Sequence, residues 1–345
     1  MDLKRTFVVL AVAISSSALV VACAAKQDGA SGSGTVFTAD EKGKSISVVD
    51  LGTGTVETTP LGIAPHNVQT SQNGKNLFAV GSPGGEDHDA KTTLTLQGRL
   101  LVFDAADVVR GPIADIAVGQ MPAHVIVGRL GKRAFVTNGG DNTVSVVDLV
   151  QRQIVKSIAV GAGPHGLRMS PDGRTIYVAA TGGGSVSVVD VASLAEVARI
   201  PVGKAPVQVA FTPDGRRAYV TLRDENSTAV IDTGQRRVIA KIPVGSGPIQ
   251  VFAAPNGREV YVANQGTEAI PDNTLSVIAI AGQKVVATIV TGAGAHGVVV
   301  SNSGDRVFVA NSFANTVSVV NTASRKVVRN IGVGAGPGGI TYAPQ

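Results

Sequence analysis

The chain has one cysteine, no tryptophan and three methionines in 345 residues; only 4% of residues are aromatic and 16% charged. A single cysteine rules out an intramolecular disulfide, so stability has to come from packing. Without tryptophan and with few other aromatics, the chain lacks a row of rings on which successive bases could stack, and nucleic acid is not an expected partner. Neither a His-Glu-x-x-His zinc motif nor a Gly-x-Ser-x-Gly nucleophile elbow occurs, so no familiar hydrolase signature is present. After the first two dozen residues no second long apolar run follows.

What is present is repetition. A Gly-rich turn carrying a proline recurs at Pro65, Pro122, Pro164, Pro206, Pro248 and Pro337, with Ala295 standing in once. The spacing is 42 residues except for two longer intervals, 57 and 47. A period near forty with four β-type runs per unit predicts an all-β, seven-bladed β-propeller of four-stranded blades. Seven units and two insertions account for residues 35–345, which leaves no room for a second domain. In the clearest unit the expected strands are 167–170, 175–180, 186–190 and 196–202, with Pro171-Asp-Gly-Arg174 as a turn. Residues 338–345 suffice for one inner strand, and residues 35–60 for the other three. First and last segments are therefore expected to share a blade and close the ring.

Phe135-Val-Thr-Asn138, Tyr177-Val-Ala-Ala180, Tyr219-Val-Thr-Leu222, Tyr261-Val-Ala-Asn264 and Phe308-Val-Ala-Asn311 resemble the YVTN β-propeller repeat. The resemblance spans residues 35–345 and implies fold, not activity, because such propellers serve binding, surface and enzymatic roles.

Residues 1–22 read as a secretory signal: Lys4 and Arg5, an apolar run from Phe7 to Val21, then Ala22 before Cys23. The Val20-Val21-Ala22-Cys23 pattern resembles the bacterial lipobox, which implies that Cys23 becomes a lipid-modified N-terminus. Residues 23–34 would be a flexible tether. The resemblance implies an extracytoplasmic, membrane-anchored lipoprotein, on the periplasmic side of the outer membrane in a Gram-negative host. A monomer is expected.

In such a ring the inter-blade turns and the turns between second and third strands share one face, called here the top. Both insertions fall there. One carries Glu86, Asp87, His88 and Asp89; the other, 265–272, carries Glu268. Four of the five histidines follow the anchors: His66, His165 and His296 directly, and His124 one residue later. Imidazoles converging on a channel mouth under an acidic loop form a divalent metal-ligand set suited to Zn²⁺ or Cu²⁺. Met121, in the same turn as His124, would favour copper. The same histidines can instead be structural, hydrogen-bonded to neighbouring backbone in a turn copied by duplication. They can also line a small-ligand pocket or act as general bases in a lactonase-, lyase- or haem-synthesis-like enzyme, with Glu86 or Glu268 as acid.

Three of the turns match G-x-G-x-x-G, but a strand rather than a helix follows each, so no nucleotide cofactor is implied. The bottom turns are basic, with Arg216, Arg217, Arg236 and Arg237 interleaved with aspartates. They mark a solvated face or a platform for envelope proteins or anionic polymers. The leading expectation is a lipid-anchored binding or scaffold protein with a ligand, a metal ion foremost, at the histidine-lined mouth.

Overall fold

The computed structural model describes residues 33–84 and 96–344. These form seven four-stranded antiparallel sheets arranged as a ring. The blade read most clearly from sequence contains β12 (Pro164–Met169), β13 (Thr175–Ala180), β14 (Ser185–Asp190) and β15 (Ala195–Pro201), running from axis to rim. The inner strand starts three residues earlier than its apolar pattern suggested. Pro164 pairs with Ala180, and the register then skips to Leu167 opposite Val178. The same skip follows Pro122, Pro206 and Pro248. After these four anchors two residues leave the regular ladder where the chain lines the channel mouth, and after Pro65, Ala295 and Pro337 one does.

The innermost strands of the other blades are β4 (Ala64–Thr70), β8 (Pro122–Val127), β16 (Pro206–Phe211), β20 (Pro248–Ala253), β24 (Ala295–Val300) and β28 (Pro337–Ala343). Each contacts the next around the axis, and β28 contacts β4. β28 pairs with β1 (Thr35–Asp40), which continues to β2 (Ser45–Asp50) and β3 (Val56–Pro60), so both ends of the propeller share one sheet. The second insertion is an extension of a hairpin: β21 (Glu259–Gly266) and β22 (Pro271–Ala279) run past the usual turn. Cys23, Glu86, Asp87, His88 and Asp89 lie outside the described residues.

Val, Ile and aromatic side chains alternate across each sheet and interlock with the next blade. Tyr177 and Val188 of one blade meet Val209, Phe211 and Val220 of its neighbour. Outer strands such as β15 are exposed at alternate positions, which suits the rim. Polar side chains fasten the blades where Asn ends the repeat motif. Asn138 is fully buried; its Nδ2 donates to Thr143 and Ser145, and its Oδ1 accepts from the Gly119 N–H. Asn311 does the same with Thr316, Ser318 and the Gly292 N–H. Asp40 takes this position in the shared blade and accepts from Thr38, Ser45 and Ser47. Burial pushes its carboxyl above the ordinary range, against the lowering effect of those hydrogen bonds.

Candidate functional site at the channel mouth

The motif threonine joins fold and site. The register skip leaves the His124 N–H without a strand partner, and Thr137 Oγ1 accepts it at 3.0 Å. The same hydroxyl donates to the His165 carbonyl at 2.6 Å. One fully buried side chain thus ties together two neighbouring strands that each carry a histidine. Thr221 repeats the arrangement between the Gln208 N–H and the Ile249 carbonyl.

His66, His124 and His165 come from adjacent inner strands and converge: each offers a ligand nitrogen, and these lie within 4.8 Å of one another. Ring centroids are 5.0 Å apart for His66–His165 and for His124–His165, and 5.7 Å for His66–His124. His296, on β24, sits further round the ring, its centroid 6.4 Å from that of His66. All four expected histidines therefore gather at the mouth, three of them closely.

Hydrogen-bond partners define the tautomers. His165 Nδ1 is 3.2 Å from the Val207 carbonyl, and His296 Nδ1 is 3.0 Å from the Gly338 carbonyl. A carbonyl only accepts, so both Nδ1 atoms carry hydrogen, which leaves both Nε2 atoms directed into the mouth. These are the backbone contacts anticipated for a structural role; they also orient the rings. His66 Nδ1 lies 3.3 and 3.4 Å from the two Glu41 carboxylate oxygens, which places a hydrogen on that atom too. His66 Nε2 and His165 Nε2 face each other at 3.1 Å, a distance that a shared proton or a cation between them accounts for.

His124 differs. Gln208 Nε2 faces its Nδ1 at 3.3 Å, while Gln208 Oε1 accepts the Val209 N–H, which fixes the amide. The His124 hydrogen therefore belongs on Nε2, a buried atom without a hydrogen-bond partner among the described residues. Burial, followed by the charges of His165, His66, Arg168 and His296, holds the His124 pKa well below its usual value, so the ring is neutral at pH 7.

Sequence reasoning missed Glu41. It comes from the β1–β2 turn of the shared blade, and packing of that blade against the next one in sequence brings it to His66. Glu268, expected as an acid partner, instead pairs with Lys42 at 3.0 Å, with both side chains largely exposed. On the bottom face, Arg216, Arg236 and Arg237 are exposed, and Arg217 donates to the Ile280 carbonyl. Asp214 caps the turn before Arg216. Among the described residues no helix is long and apolar enough to cross a membrane.

Fold and repeat define the molecule as a seven-bladed β-propeller with a histidine-lined mouth. The model of the YNCE-like β-propeller family matches residues 100–256 and 253–344, and the chain belongs to that family. No curated protein matches the sequence. Among solved structures, Kuenenia stuttgartiensis hydrazine synthase is similar at a TM-score of 0.69 and 22% identity, over 81% of this chain and 95% of that one. A functionally unknown protein from Desulfotomaculum acetoxidans gives 0.74 and 16%, over 91% and 100%. A putative 6-phosphogluconolactonase from Bacteroides fragilis gives 0.68 and 14%, over 90% and 97%. At these identities the likeness is one of fold.

Proposed function

We propose that this protein is an extracytoplasmic, lipid-anchored binding protein that holds a divalent transition metal, Zn²⁺ or Cu²⁺, at the propeller mouth. One observation carries the reading: two imidazole nitrogens face each other at 3.1 Å, each ring oriented by an acceptor on its far nitrogen. A pair of imidazole nitrogens so placed can share a proton or, with the proton displaced, a metal ion. A tetrahedral ion with metal–nitrogen bonds near 2.0–2.1 Å places neighbouring ligand nitrogens roughly 3.3–3.4 Å apart, close to the spacing here. Glu41 and the Val207 carbonyl stand where outer-shell acceptors stand in metal sites, fixing ring orientation and raising basicity. His124 is the third ligand of the set; its ligation through Nε2 requires its hydrogen to leave that atom.

The anchor rests on the sequence alone, through the Ala22-Cys23 processing pattern. Elemental analysis of untagged protein tests the metal: about one Zn²⁺ or Cu²⁺ per chain is expected, removable by chelator and absent from His66→Ala and His165→Ala. Folded protein that takes up no metal from a stoichiometric solution would overturn the reading.

A second reading has its own observation. An imidazole oriented by a carboxylate, as His66 is by Glu41, is a general-base arrangement. It predicts lactone hydrolysis that persists in chelator-treated protein and disappears in His66→Ala.

A further inference from the structure

Of the seven innermost strands, only β12 carries a Lys, Arg, Asp or Glu, and that residue is Arg168. It lies three residues beyond His165, further along the channel. The cavity there encloses about 190 Å³ and extends from His124 past Arg168 to Asn302. At ~30 Å³ per water that is room for about six waters, enough for a five-atom tetrahedral oxyanion or a short dicarboxylate.

The lining has hydrogen-bond donors but no carboxylate. Arg168 makes no hydrogen bond or ion pair with a described residue. Its guanidinium carbon lies over the Phe252 ring, 5.3 Å from the centroid, a cation–π contact that spends none of its N–H donors. Desolvation in the channel brings its pKa down to about 10, so it is still charged at pH 7. Gln250 adds a second unspent donor. Its Oε1 accepts the Val298 N–H, which sets the amide orientation, and its Nε2 is buried without a partner among the described residues. A buried donor left unmade costs free energy, and a desolvated guanidinium without a counter-charge costs more. Both costs fall if the occupant is an acceptor with negative charge.

We propose that the channel beyond the histidines is a binding site for a small oxyanion, with Arg168 as its charged anchor and the Gln250 amide as a further donor. The Arg fork matches the paired oxygens of phosphate, sulfate and carboxylate alike. Neither donor is one of the grouped imidazoles, although His124 lines the near end of the same cavity.

Titration calorimetry on chelator-treated full-length protein, with phosphate, sulfate and oxalate against a chloride background, tests it. At least one is expected to bind saturably at one per chain, and the order of the three tells tetrahedral from planar preference. Arg168→Gln should weaken binding roughly tenfold to a hundredfold, and Gln250→Leu by a smaller factor. Arg168→Lys, which keeps the charge and loses the fork, should fall between. Thermal melts on each variant verify folding. The proposal is overturned if none of the three anions titrates up to about 10 mM, or if folded Arg168→Gln binds as tightly as wild type.

Discussion

His66 Nε2 lies 3.1 Å from His165 Nε2, although the two residues are 99 positions apart in sequence. Each ring is held from behind, His66 by Glu41 and His165 by the Val207 carbonyl. The facing nitrogens are therefore held at a spacing that a shared proton or a bridging metal cation can occupy.

Glu41→Gln should leave the ring folded but lower metal affinity by roughly 10- to 100-fold, the usual consequence of losing an outer-shell partner. Competition with a chromophoric chelator measures it. Equal affinity in variant and wild type would remove Glu41 from the site.

Thr137→Val keeps the shape of the side chain but leaves the buried His124 N–H without its acceptor. A loss of about 1–3 kcal/mol in urea denaturation is expected, with weaker metal binding, since the tie between two histidine strands is cut.

Asn311→Ala removes three hydrogen bonds from a fully buried position and should cost about 2–4 kcal/mol, at roughly 1 kcal/mol per bond plus the groups left unpaired. The check is the denaturation midpoint at unchanged slope.

The depressed pKa of His124 sets the sign of a pH effect in metal-free protein. The unfolded chain protonates this ring near pH 6.5, while the folded protein resists doing so. Below pH 6.5 the unfolded state binds more protons, so stability falls with acidification, by at most about 1.4 kcal/mol per pH unit from this residue. Urea titrations between pH 7.5 and about 5 should show this slope, and His124→Gln should flatten it. An unchanged slope in the variant would assign the effect elsewhere.

Glu268→Ala breaks an exposed ion pair with Lys42 and should leave metal affinity as it is, in contrast to Glu41→Gln.

The architecture was legible because repetition exposes it: the 42-residue spacing of Pro122, Pro164, Pro206 and Pro248 dictates equal blades, and the leftover strands at both ends require a shared one. Strand starts were less legible. Pro164 looks like a turn residue, yet it pairs with Ala180 before the register skips, so β12 begins at the anchor itself. The histidines were legible by position, since residues after the anchors line the mouth. Glu41 was not, because its nearness to His66 depends on how one blade packs against the next and on which way a turn side chain points, not on local pattern. Arg168 carried a sequence signal, a lone charge in an apolar inner strand, but only the cavity beside it gives that charge a meaning.

The turn that orients His66 belongs to the one blade assembled from both ends of the propeller, where β28 docks on β1. Docking those ends and aligning the imidazoles are consequently coupled equilibria. A cation at the mouth would favour the docked form by RT ln(1 + [L]/Kd), about 2.7 kcal/mol at a hundredfold excess over Kd. By the same linkage, any force or mutation that peels β1 from β28 would release the ion. Occupancy at the mouth would then report whether the circle is shut.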